Sequence, residues 1–171
     1  MIMKYNYDIY NEPRESLYDA FVLFCCRYSV TGMLVYRRKE ELSVEGLLTL
    51  QSLMNCGALL STTSRWPGTV LGSGVPLYNA CVFNLTKSAL TVIRTAVTGL
   101  YDWIGPYQLE DLALLRSDGT RLLASISHER CSTITLSNDE YLSLRDNVAL
   151  YNSLMLRRDS DHTHVNTTCY A

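Results

Sequence analysis

Two apolar runs, Leu112-Ala113-Leu114-Leu115 and Leu122 to Ser127, flank the tetrapeptide Ser117-Asp118-Gly119-Thr120. Asp-Gly between apolar runs is the strongest short-range signal for a β-hairpin. The pair Asp118-Gly119 predicts a type I′ turn, with positive φ at both central residues. His128-Glu129-Arg130 turns the chain again, and Cys131 to Leu136 reads as a third strand. A three-stranded meander over about 111–136 commits the chain to a mainly antiparallel sheet. One face of that sheet must then be covered by the rest of the molecule.

The remaining segments supply the cover. Tyr5, Tyr7 and Ile9 alternate with Asn6 and Asp8, a period-two strand. Leu17, Ala20, Phe21, Phe24, Cys25 and Tyr28 follow at helical spacing, predicting a helix over 13–28 that opens at Pro13. Residues 29–38 read either as a strand, on Val30, Thr31, Val35 and Tyr36, or as a short helix. Ser43 is a good N-cap for a helix reaching about residue 60, with Gly57 able to end it earlier. Residues 61–76, rich in Ser, Thr, Gly and Pro, read as a long loop with a turn at Trp66-Pro67-Gly68. Leu77 to Leu85 reads as a buried strand, and Thr86 caps a helix carrying Leu90, Ile93, Val97 and Leu100. Ser137-Asn138-Asp139-Glu140 is a capping box opening a helix that continues to about Leu156. Helices and hairpin strands are segregated, which predicts a single α+β domain over 1–158. Residues 159–171 read as a flexible polar tail.

With 171 residues, 47% of them apolar, the chain builds a core without staples. A net charge of −2 argues against direct nucleic-acid binding. No apolar run approaches the roughly 20 residues of a membrane span. The first residues lack the basic flank and apolar run of a secretory signal. The six cysteines sit mostly among apolar neighbours, Cys25 and Cys26 side by side, and read as reduced thiols of a cytoplasmic protein.

Catalytic motifs are sparse. His162-x-His164 in the tail has no second ligand pair, so no metal site is expected. Gly68, Gly72 and Gly74 lack the lysine of a phosphate loop, so no nucleotide cofactor is expected. His128, Glu129 and Cys131 are the first suspects if the chain is an enzyme, although His128 and Cys131 lie three apart across a tight turn.

Charge is uneven. Residues 46–101 hold three bases and no acid, whereas residues 102–146 hold eight acids and four bases. Setting aside the acids that cap helices leaves Asp102, Glu110, Asp111, Asp118 and Glu129, expected to form an acidic rim at the end of the sheet. Such a rim suits docking to a basic protein. Trp66 is the alternative anchor.

The strand, Ser-Asp-Gly-Thr, strand, Ser-His-Glu, strand, Leu-Ser-Asn-Asp-Glu pattern over residues 112–144 follows Thr98-Gly-Leu-Tyr-Asp-Trp103. Across roughly 75–145 this resembles bacterial immunity proteins of the contact-dependent growth inhibition and polymorphic toxin class. The resemblance implies a non-enzymatic, cytoplasmic inhibitor that covers the active site of one cognate toxin, such as a basic nuclease. The competing readings are a small enzyme and an adaptor subunit of an assembly.

Overall fold

The computed structural model describes residues 3–158. Ten strands and five α-helices occur in the order β1 (Lys4–Asp8), α1 (Ser16–Cys26), β2 (Thr31–Tyr36), α2 (Val44–Asn55), β3 (Leu59–Thr63), β4 (Arg65–Trp66), β5 (Thr69–Val70), β6 (Tyr78–Asn84), α3 (Lys87–Ala96), β7 (Glu110–Leu115), β8 (Arg121–Ile126), β9 (Cys131–Ser137), α4 (Asn138–Asp146), α5 (Val148–Leu154) and β10 (Arg157–Arg158). Eight strands form one antiparallel sheet in the order β10-β1-β9-β8-β7-β2-β6-β3; β4 and β5 make a separate hairpin. The α+β class and the β7-β8-β9 meander agree with the sequence reading. The tail from 159, with His162 and His164, lies outside the described residues.

Strand alternation sends one set of side chains to each face. Leu34, Cys81, Phe83, Leu114, Leu123, Ile134 and Leu136 meet Phe21, Leu50, Leu53, Ile93, Leu144 and Leu150, so all five helices share the main core. On the other face a smaller cluster joins Val35, Ala80 and Trp66.

Several boundaries differ from expectation. Residues 29–38 resolve as strand β2, because its partners on both sides, β6 and β7, satisfy its backbone. The expected loop 61–76 instead holds parts of β3 and the β4–β5 hairpin; these short strands pair with each other or with distant β6, which local composition does not reveal. The first helix begins at Ser16 rather than Pro13, since Glu15 has φ 53° and Arg14 bridges to Gly99. The second helix ends early, at Asn55, with Gly57 just beyond at φ 85°. The capping box at Ser137 and Glu140 is present, but Asn147 divides the following helix in two and caps α5 itself.

The β7–β8 turn is a correction of type. Only Gly119 has positive φ, at 77°. Gly119 N–H donates to the Arg116 carbonyl (3.0 Å), and Arg116 N–H donates to that of Thr120 (2.9 Å). This is a type I turn followed by a left-handed glycine, the usual three-residue hairpin connection.

Arg116 also ties the turn to α4. Its guanidinium reaches Glu140 (2.8 Å) and donates to the Thr135 and Arg121 carbonyls at 2.6 and 2.7 Å. Both members of this ion pair are buried.

Candidate functional site

Strand β7 carries the feature that builds the site. From Met33 to Val35 the β2 strand takes two steps, while its partner takes three, from Ala113 to Glu110. The extra residue makes a β-bulge, and Asp111 has φ 59°. Bulges re-aim side chains and concentrate beside functional sites. Asp tolerates the left-handed region because its short carboxylate bonds locally. Here Asp111 Oδ1 accepts from the Ser127 backbone N–H (2.8 Å), and Oδ2 accepts from the Trp66 indole N–H (3.0 Å). Asp111 is 2% exposed, and burial raises its carboxyl above the ordinary range against the lowering effect of those two bonds.

The β4–β5 hairpin closes over this bulge. Pro67-Gly68 forms its turn, with Gly68 at φ 96° in the position where a type II turn requires positive φ. A Cβ at Gly68 would lie 3.3 Å from Ile126 Cγ1, so the turn rests directly on β8. Trp66 stands 5.0 Å, ring to ring, from Tyr78 of β6.

Between hairpin and sheet lies a cavity of ≈ 400 Å³, walled by Trp66, Tyr78, Glu110, Asp111, His128 and Glu129. A second, of ≈ 520 Å³, shares Tyr78 and Glu110 and is otherwise walled chiefly by Arg37, Arg38, Glu41 and Pro106. Both volumes fall in the range of ligand clefts. The Glu110 carboxyl makes no side-chain hydrogen bond or ion pair among the described residues, although His128 and Arg37 lie close enough to favour its charge. Burial, then repulsion from Asp111, raises its carboxyl above the ordinary value. Thr69 Oγ1, on the same wall, is buried and has no hydrogen-bond partner.

Four of the six expected partner-binding residues therefore meet: Trp66, Glu110, Asp111 and Glu129. Two do not line it, so the single acidic rim is corrected: Asp118 lies at the other end of the sheet, and Asp102 lies near residues 127–129 but outside the cavity wall. Asp118 sits in the turn at the far end of β7, roughly 17–20 Å from Glu110 at about 3.3 Å per residue. There Thr120 donates to it through backbone (2.9 Å) and hydroxyl (2.6 Å), with Lys4 at 3.4 Å, and its carboxyl falls to about 2. Asp102 is bound by Arg14 (3.1 Å) and the Thr98 hydroxyl (3.1 Å) and does not line the cavity. Trp66 is also not a projecting anchor. At 6% exposed it is a wall, held by Asp111.

His128 joins the cavity wall, its Nε2 3.6 Å from Glu129 Oε1. Cys131, the suspected nucleophile, is disulfide-bonded. That corrects the expectation of six reduced thiols; Cys25, Cys26, Cys56 and Cys81 are free. Tyr78 and Arg37 were not anticipated. Alternation in β6 places Tyr78 on the face of Ala80, but only the strand order puts that face beside β7. Among the described residues no cluster of three or more His, Cys, Asp or Glu is placed to hold a metal ion, and no helix is long and apolar enough to cross a membrane.

Comparisons with protein-family models, curated proteins and solved structures found no match to this chain.

Proposed function

We propose that this chain is a stoichiometric inhibitor of the immunity type, which seats a basic side chain of a cognate toxin in the acidic cleft. The observation that supports it is the gathering of Glu110, Asp111 and Glu129 around one cavity with aromatic walls. A partly desolvated carboxylate without a partner, as Glu110 is, costs free energy until a cation arrives. Trp66 and Tyr78 add ring faces that attract a guanidinium. A nuclease toxin needs a basic cleft to hold phosphate, and an acidic receptor covers that cleft by charge complementarity.

The test is protection. The chain is co-expressed with the toxin domain encoded beside it, and growth and binding kinetics are measured. Wild type protects. Glu110→Gln combined with Glu129→Gln loses protection while remaining folded, and the wild-type association rate falls with salt because exposed charges are screened over about 8–10 Å. Undiminished protection by the double variant overturns this surface, and failure of the wild type to protect overturns the function.

One observation favours a catalytic reading: carboxyls with raised pKa facing a histidine in a cavity are a common mark of acid–base sites. Glu110 is the residue on which such an activity rests, since both Asp111 oxygens are already engaged. A turnover abolished by Glu110→Gln, with ligand binding retained, places catalysis above inhibition.

A further inference from the structure

The two lobes of the cleft differ in charge. One presents Glu110, Asp111 and Glu129; the other adds Arg37 and Arg38. Arg38 Nε pairs with Glu41 at 3.3 Å, on an exposed surface where such pairs contribute little. Arg37 lies over the Tyr78 ring, 6.0 Å from its centre, and has no carboxylate within ion-pair distance among the described residues. Its charge lies beside Tyr78 and close enough to Glu110 to favour that carboxylate. Tyr78 and Glu110 line both lobes, so the positive and negative ends are adjacent rather than remote.

We propose that the cleft takes a guest of matching polarity: a basic residue carrying a free carboxylate. Its guanidinium lies against Glu110 and the aromatic walls, and its carboxylate meets Arg37 and Arg38. This rests on the acidic-cleft reading above and narrows it. A lone cation fills one lobe and leaves Arg37 without a carboxylate at ion-pair distance among the described residues. An arginine at the C-terminus of a peptide, or free arginine, satisfies both, because its two charged groups are joined through one side chain. Arginine–carboxylate pairs are among the stronger charge-assisted bonds, with a planar geometry suited to two N–H donors.

The experiment uses the full chain and three probes in titration calorimetry: Nα-acetyl-L-arginine, its N-methylamide, and L-arginine. Acetylarginine binds about tenfold or more tightly than the methylamide, the worth of one charge-assisted hydrogen bond. Arg37→Gln with Arg38→Gln brings acetylarginine down to the level of the methylamide, and Glu110→Gln weakens all three. Tighter binding of L-arginine than of acetylarginine identifies the guest as the free amino acid, and the reverse identifies a peptide end. Equal binding of acetylarginine and its methylamide, both sensitive to Glu110→Gln, overturns the dipolar proposal and leaves the acidic cleft standing. Tighter methylamide binding in the arginine double variant also overturns it, since Arg37 then serves only to neutralise Glu110. Binding indifferent to Glu110→Gln, or no binding of any probe, overturns the proposal; the protection assay judges the cleft itself.

Discussion

Glu110 carries a charge that burial disfavours more than the nearby His128 and Arg37 offset. Its carboxyl is raised above the ordinary 4.5 by burial first and by Asp111 second. A raised acid is protonated more readily in the folded state. Its contribution to stability is therefore complete below the ordinary value and lost as pH climbs through the raised one. Glu110→Gln removes that loss. Thermal unfolding should show the variant more stable than wild type at pH 7, with the difference gone below pH 4.5; an equal difference at both pH values would assign the effect to packing. The Asp111 carboxyl is raised in the same direction, but its carboxylate also bridges hairpin and sheet. Asp111→Ala leaves the Trp66 indole N–H and the Ser127 N–H unpaired, at a cost of about 1–3 kcal/mol. Protease cleavage at residues 64–71 should rise with it. Arg116 and Glu140 are a third case. Arg116→Met strands a buried carboxylate and should lower stability by about 3–5 kcal/mol in urea denaturation.

Elements whose signals lie within a few residues were readable from the chain. The Ser137 capping box, the Ser43 and Thr86 caps and the Ser117–Thr120 turn are local chemistry, and each stands where the sequence placed it. The turn type was not readable, because Asp-Gly serves both a I′ turn and a type I turn ending in left-handed glycine. The structure puts the demand on Gly119 alone. Gly119→Ala meets no neighbouring atom within 4 Å, so its cost is backbone strain of about 1–2 kcal/mol. Asp118→Ala keeps the backbone and loses only exposed hydrogen bonds, and its melting temperature should move less than that of Gly119→Ala. What stayed hidden was non-local. Strands β3 to β5 are short and polar, and their partners are each other or β6. The acids Asp102 and Asp118 are taken up by Arg14 and Lys4 from the opposite end of the sequence. Charge asymmetry pointed to five acids, and only the sheet order separated the three that meet at the cavity from the two that do not.

Across the molecule, the strand order sets two edges of different origin. One edge, β10-β1, is made from opposite ends of the described chain: Tyr7 pairs with Arg158, and β1 lies between β10 and β9. The other, β6-β3, is assembled from the chain's first half. A chain emerging from the ribosome can therefore complete β2, β3 and β6 early, whereas β1, although first made, waits for β9. Tyr5, Tyr7 and Ile9 stay unpaired for some 125 residues of synthesis. Non-local pairing of this kind slows folding, since loop closure must precede its reward. A version truncated after residue 130 should keep little cooperative unfolding by circular dichroism and should bind a hydrophobic dye; a sharp transition would show that the β2–β8 half stands alone. During translation β1 is thus a strand left unpaired until its two sheet neighbours, β9 and β10, the last strands of the described chain, have been made.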